Sequence, residues 1–300
     1  NAQVIDLETA DTINYDITLL IGILKTSRYY YKKSAAHFNA WFNKAFELTK
    51  EQGTTITDFS AFISRTYYLS KGYVYHSRLI RWETQSKNYR FEIDENNIFT
   101  VEIPKTRLRC IYDKTDTISI NQSHIVFNPL SDEAQGSKGT VEWKDRYGPE
   151  FKDTRVELKD FTLNLRKSSY EAKDAALYSS TLLRGAMLGN FKDAASPWAV
   201  KTKLRPYFDS YEKDFELLSK NENFKYFGGV TVEGPKIQVT GNDKDPAVVQ
   251  FYKDGRLFFQ AEALKTQFNR ADNASVKLYI NENDSIYHPS AAFLLDEKEL

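Results

Sequence analysis

The sequence predicts an α+β fold in which a small N-terminal helical cap is followed by a mainly antiparallel, meandering β region. Three observations lead to this prediction. Apolar residues recur at helical spacing up to about residue 70, and from residue 73 onward they alternate with polar residues. The chain also contains 19 Tyr, 20 Phe and 4 Trp, which suit pleated, half-buried surfaces. We expect the β region to form a sandwich, a jelly-roll or a solenoid-like array.

Three short amphipathic helices are predicted in the cap. The first begins after a capping Asp11 or Thr12, the second covers residues 34–50, and the third opens at Thr57 or Asp58 and continues to about residue 70. The apolar positions that share one face of each helix are Ile13, Ile17, Leu20 and Leu24, then Phe38, Phe42 and Ala45, and then Phe59, Phe62, Ile63 and Tyr67.

Alternating patterns dominate the rest of the chain. Residues 99–103, "FTVEI", and 276–280, "VKLYI", place every second apolar side chain on one face, as antiparallel sheets do. In "TRVELKDFTLNLR" the apolar phase shifts by one at residues 159–160, which predicts a bulge or a bend. The Asp-Gly pair at 254–255 stands between two apolar runs and predicts a tight hairpin.

The chain is expected to divide into three parts. The helical cap covers residues 1–72, a first β-rich region covers 73–222, and a second β unit covers 223–300. A short helix is predicted near residues 209–219, because "DSYEKDFELLS" is typical of a helix. The second β unit is expected to continue in a longer parent chain.

The stretch "NENDSIYHP" places Asp284, Ser285 and His288 close together, as part of a hydrolase site would. Ser285 and His288 are three residues apart, so on a strand they face opposite sides of the sheet and cannot pair. The stretch therefore predicts a turn and the strand that follows it. In this interpretation Ile286 points inward and Pro289 ends the pairing.

Composition limits the functional classes. Lys and Arg total 41, and Asp and Glu also total 41, whereas nucleic-acid surfaces usually show a basic excess, so no nucleic-acid partner is expected. No run of 18 apolar residues is present, and no transmembrane span is predicted. The single cysteine, Cys110, cannot form an internal disulfide, and the four histidines lack metal-ligand spacing. We therefore assign no metal, no cofactor and no catalytic residue.

Carbohydrate chemistry remains an alternative. Trp198 follows Ser196-Pro197 in a predicted loop, where its ring could stack on a sugar, and it is the candidate glycan platform. A glycan-active hydrolase would need two carboxylates at a set separation, and 41 acidic residues offer too many pairs to choose among.

Two stretches carry a resemblance to a known family. Residues 172–178, "AKDAALY", and residues 229–234, "GVTVEG", resemble the short strand steps of OstA-type lipopolysaccharide-transport repeats. The phrase "DSIYHP" at 284–289 is similar to one in large uncharacterised envelope proteins of Gram-negative bacteria. The family implies open β jelly-rolls that stack into a filament in the periplasm, with an apolar groove that carries lipid acyl chains.

This resemblance implies a site and partners for the chain. The partners would be lipid or lipopolysaccharide, or neighbouring β repeats that pair through sheet edges. The residues that would line an apolar groove or core are Val230, Val232, Ile237, Val239, Leu257, Phe259, Val276, Leu278 and Ile280.

We therefore expect a non-enzymatic structural or lipid-handling β module, in the periplasm or otherwise associated with the cell envelope. A surface glycan-binding module is the alternative, and a glycan-active hydrolase is the third hypothesis.

Overall fold

The predicted α+β class is confirmed by a computed structural model of the chain, in which helices come first and mostly antiparallel sheets follow. The residues that the structure describes are 7–51, 53–93, 98–114, 116–195, 205–213, 215–218, 222–242, 245–266 and 270–294. Among these residues, no helix combines the length and the apolar character needed to cross a membrane.

Three helices form the N-terminal part: α1 (Leu7–Lys33), α2 (Ala35–Leu48) and α3 (Ile56–Ser70). The predicted start of the first helix is wrong, because α1 already begins at Leu7 rather than after Asp11 or Thr12. The third helix also begins earlier than predicted. Its N-cap is Thr55, and Asp58 is the acid that completes a capping box with it.

The remaining elements are nineteen strands and two short helices in the described residues. In chain order they are β1 (Tyr73–His76), β2 (Ile80–Thr84), β3 (Arg90–Ile93), β4 (Phe99–Tyr112), β5 (Asp116–Phe127), β6 (Glu133–Glu142), α4 (Lys144–Tyr147), a 3₁₀ turn (Pro149–Phe151), β7 (Thr154–Asn164), β8 (Ser169–Ser179), β9 (Met187–Ala194), β10 (Tyr207–Ser210), β11 (Glu216–Leu217), β12 (Phe224–Phe227), β13 (Gly229–Glu233), β14 (Lys236–Thr240), β15 (Ala247–Lys253), β16 (Arg256–Ala263), β17 (Lys265–Thr266), β18 (Arg270–Tyr279) and β19 (Ser285–Leu294).

The chain forms two compact units. One comprises Asn1–Ser137 with Thr162–Ser168, and the other comprises Lys138–Phe161 with Ser169–Leu300. The predicted division at residues 72 and 222 stays a prediction.

In the first unit the strands follow the order β1-β2-β4-β5-β6, and β3 pairs with β4. Helix α3 packs on this sheet, where the Phe62 and Phe99 rings meet at 5.4 Å. A buried polar contact fixes the helices against one another, since the Trp41 indole N–H donates to the Thr66 hydroxyl at 3.0 Å. The Tyr30 hydroxyl donates to the Thr66 carbonyl at 2.8 Å.

The boundary between the units falls inside β6, between Ser137 and Lys138, so β6 contributes residues to both. In the second unit one sheet has the order β6-β7-β8-β9-β10-β13-β14-β17. A separate six-stranded sheet has the order β11-β12-β15-β16-β18-β19 among the described residues. Trp143 anchors the larger sheet, where its indole N–H donates to the Gly234 carbonyl at 2.8 Å. A largely buried ion pair, Arg146 to Asp193 at 2.7 Å, lies in the same unit.

The helix predicted near residues 209–219 is wrong. Strand β10 pairs with both β9 and β13, and β11 pairs with β12. The fully buried Phe208 lies opposite Phe191 on one side and Val232 on the other. Pairing with strands that are distant in sequence therefore outweighs the weak local helical preference.

Candidate functional site

The stretch that raised the possibility of a hydrolase forms the β18–β19 hairpin, so the predicted turn and strand are confirmed. The Ile280 amide donates to the Asp284 carbonyl at 3.0 Å. The Asn281 side chain accepts from the Asp284 amide at 2.8 Å and donates to the Asp284 carboxylate at 2.7 Å. Asp284 thus closes a turn, and Ser285 begins the next strand opposite Tyr279.

Two details of that interpretation are wrong. Ile286 is 57% exposed rather than inward-pointing. Pairing also continues past Pro289, because Ala291 lies opposite Ala274. Between the Val276–His288 and Ala274–Ala291 pairs, one residue of β18 opposes two of β19, Pro289 and Ser290, which is a bulge. Proline is tolerated at a bulge because the main chain needs no N–H donor there.

Strand β19 is the first candidate site, because among the described strands it pairs only with β18 and forms an edge of the six-stranded sheet. Its side chains from Ser285 to Ser290 are all exposed. The ten-residue sequence of β19, "SIYHPSAAFL", contains no Asp, Glu, Lys or Arg. Edge strands are normally protected from further pairing by charges, short length or Pro. Only the bulge at Pro289 provides such protection in β19.

A cleft of about 620 Å³ lies at the tips of the two hairpins of the same sheet. The ring of Phe258 is 38% exposed beside it, and Lys253 lies 5.9 Å from the centre of that ring. The cleft has the size of a small-ligand site and a mixed apolar and polar lining. Its lining residues are Lys253, Asp254, Arg256, Leu257, Phe258, Tyr279, Ile280, Asn281 and Glu282.

The structure distributes the predicted groove or core residues over both sheets. Val230, Val232 and Val239 are fully buried on β13 and β14, and Ile237 is partly buried there. The predicted residues that lie on the six-stranded sheet are all partly buried, and they are Leu257, Phe259, Val276 and Leu278.

Only part of that set meets in one place. Phe259 lies opposite Leu278, and Phe259 and Val276 pack against a small core of Ala261, Ala263 and Ala274. Leu257 lines the cleft together with Ile280, which is 64% exposed and stands in the turn after β18. Trp198, the predicted glycan platform, lies outside the described residues.

The first unit contains a polar network that the sequence analysis missed. The Glu102 carboxylate accepts from Arg90 and lies 2.9 Å from His124 Nε2, and His124 Nδ1 lies 3.3 Å from the Ser137 hydroxyl. The hydrogen bond from Arg90 lowers the pKa of Glu102 to about 2. These residues occupy neighbouring strands far apart in sequence, so no local spacing could have revealed them.

This network has the residue types of a serine–histidine–carboxylate site but a different electrostatic arrangement. In such a site the carboxylate stabilises the imidazolium that forms during catalysis. Here the Glu102 charge is already paired with the Arg90 guanidinium. We interpret the network as a cross-strand structural contact between β3, β4, β5 and β6.

In the described part of the chain, no group of three His, Cys, Asp or Glu side chains could hold a metal ion. No protein family, curated protein or solved structure matches the chain.

Proposed function

We propose that this chain is a non-enzymatic structural module that joins a second β element through the edge strand β19. The observation that carries the proposal is a ten-residue edge without a charged side chain and with both flanking faces exposed from Ser285 to Ser290. An added strand would satisfy the main-chain groups along this edge, and side chains such as Ile286 and Tyr287 would supply specificity.

Two further features support a pairing surface. Ile286 and Tyr287 are 57% and 61% exposed, so an incoming strand would cover apolar area that now faces water. The adjoining hairpin turn is held by Asn281 and Asp284, which keeps the edge in register for a partner. The resemblance to OstA-type repeats supports the same mode of assembly, with a neighbouring β repeat as the partner and the periplasm or cell envelope as the location.

Lipid or lipopolysaccharide is the ligand that the resemblance adds to this proposal. Leu257, Phe258 and Ile280 give the cleft an apolar side, and Lys253 and Arg256 give it cations that suit anionic head groups. Mass spectrometry of denatured protein, purified from native membranes, would detect copurifying acyl chains. Their consistent absence would remove lipid handling from the proposal and leave the pairing function in place.

The neighbouring β repeat in the test is a second copy of the chain, and the edge is tested by adding a charge to it. In Ile286→Lys we expect weaker association between copies, measured by sedimentation velocity over a concentration series, because a lysine on an edge opposes further pairing. The matched control is Leu188→Lys. Leu188 is 52% exposed, but it lies on β9, which has a partner strand on each side.

Hydrogen exchange locates the contact. Association should protect amides of residues 285–294 and leave those of β9 unchanged. A chain that stays monomeric at its highest soluble concentration, or one whose new protection lies elsewhere, would contradict the proposal.

A second candidate function, glycan binding, is favoured by the lining of the cleft. Phe258 and Tyr279 supply aromatic faces, and Arg256, Asn281 and Glu282 supply planar polar groups for hydroxyls. On a carbohydrate array we expect Tyr279→Ala to lose glycan binding. The control Tyr287→Ala should keep it, because Tyr287 is exposed but does not line the cleft. Loss of binding in Trp198→Ala instead would place the glycan platform at the residue predicted from the sequence.

A further inference from the structure

Helix α1 carries apolar residues on two opposite faces. One face packs inside the first unit, where Thr26 and Tyr30 are fully buried. The opposite face of α1 is exposed to water, although it carries a stripe of four aliphatic residues at helical spacing. The side chains of this stripe, with their exposed fractions, are Ile17 (50%), Leu20 (55%), Ile21 (44%) and Leu24 (59%). Amphipathic helices normally have polar residues on the face opposite the core, so this second stripe needs a reason.

The stripe continues as a row of aromatic rings. Tyr31 follows Leu24 by seven residues, so it lies on the same face of α1, and it is 72% exposed. Its ring meets Phe38 of α2 edge to face at 5.8 Å. Phe38 stacks on Phe42 at 5.6 Å, and Phe42 stacks on Phe46 at 6.3 Å. Phe42 and Phe46 are about half exposed, so one apolar surface runs from α1 onto α2.

The stretch of sequence that carries this surface has charges of one sign. Residues 17–46 contain five Lys or Arg and no Asp or Glu, in a chain whose formal net charge is zero. Two of the five serve internal contacts: Lys33 donates to the Lys87 carbonyl, and Lys44 lies beside Glu47. The other three are exposed on α1 next to the aliphatic stripe, and they are Lys25, Arg28 and Lys32.

We propose that this surface of α1 and α2 binds the face of an anionic lipid bilayer. A helix that lies in a membrane interface buries aliphatic and aromatic side chains at the acyl boundary and directs Lys and Arg to the head groups. The exposed cations give the surface a charge complementary to anionic lipid. Ile21 and Lys25 also line a cleft of about 280 Å³ between α1 and α3, which places an apolar and a cationic group together at the edge of the surface.

Vesicle cosedimentation tests the proposal. The chain should pellet with vesicles of phosphatidylcholine and phosphatidylglycerol and remain in the supernatant with phosphatidylcholine alone. Rising salt should weaken the binding, because it screens the attraction to the charged surface. Leu24→Glu and Phe42→Glu should each reduce binding by about tenfold or more. The double variant Arg28→Glu with Lys32→Glu should do the same.

The matched control is Leu79→Glu. Leu79 is 45% exposed in the same unit, but it stands in the turn between β1 and β2, so binding should equal that of the unaltered chain. Circular dichroism checks that each variant is folded, and replacement of these exposed side chains should leave the helical signal unchanged.

Three results would overturn the proposal: equal binding to both vesicle types, no binding to either, or equal losses in Leu79→Glu and Leu24→Glu. If Leu24→Glu instead abolishes self-association in solution, the surface is an interface between protein copies and not a membrane site. The test is independent of the edge strand, because Ile286→Lys should bind vesicles as the unaltered chain does.

Discussion

Replacement of Thr66 by Val tests the buried contact that joins the three helices. Thr66 is fully buried, and its hydroxyl accepts the Trp41 indole N–H at 3.0 Å while donating to the Phe62 carbonyl at 2.7 Å. Valine has nearly the same shape, so the change removes the acceptor and leaves the packing intact. The Phe62 carbonyl lies in a helix and keeps its main-chain partner, whereas the indole N–H of the buried Trp41 loses its acceptor.

The expected loss follows from that orphaned donor. A buried N–H without a partner costs about 1–3 kcal/mol of unfolding free energy. Thr66→Ser keeps the hydroxyl and removes only one methyl group, which costs about 1 kcal/mol. The two variants therefore separate the hydrogen bond from the packing.

Guanidinium unfolding followed by helical circular dichroism measures the effect, since α1, α2 and α3 all lie in the first unit. The slope of free energy against denaturant should stay constant for the comparison to hold. The decisive comparison introduces Thr66→Val into a chain that already carries Trp41→Phe and therefore has no indole N–H at residue 41. In that background Thr66→Val should cost almost nothing. An unchanged cost would refute the reasoning, because the loss would then come from packing around Thr66 and not from the indole.

Two further outcomes follow from individual contacts. The hydrogen bond from Arg90 lowers the pKa of Glu102 to about 2, from an ordinary value of 4.5, so its contribution to stability is present above pH 4.5 and is lost as the pH falls toward about 2. Glu102→Gln should remove this part of the acid sensitivity, and an identical acid unfolding profile in the variant would contradict it. Gly189 lies against the Asp209 main chain, where an added Cβ would stand well inside van der Waals contact with the Asp209 carbonyl. Gly189→Ala should therefore lower the unfolding free energy by about 1–3 kcal/mol, whereas Gly185→Ala, with open space around it, should be close to neutral. Equal melting temperatures for the two alanine variants would show that β9 and β10 separate without cost.

Several elements were predictable because local chemistry alone decides them. Lys159 and Asp160 are both exposed, while Leu158 and Phe161 on either side are buried, as the shift in apolar phase predicted. The Asp-Gly pair at 254–255 has left-handed φ values of 53° and 76°, which this hairpin turn requires. Such patterns involve neighbours in sequence, so no distant contact is needed to determine them.

The candidate site was only partly predictable. The sequence predicted the turn at Asp284 and a possible role for sheet edges. It did not predict that Ile286 would face water or that Leu257 and Ile280, but not Val230, would share a cleft. Periodicity assigns side chains to a common face of a strand, but it does not determine whether another layer covers that face.

The sequence by itself determined that helices come first and strands follow, and it determined the tight turns and the single-sign charge of residues 17–46. Only the tertiary structure decided that residues 209–210 and 216–217 pair as strands, that β19 is an edge, and that the stripe on α1 lies exposed. The physical reason is that alternation and helical spacing depend on neighbours in sequence. Strand pairing and burial depend on which distant residues occupy the space next to a given face.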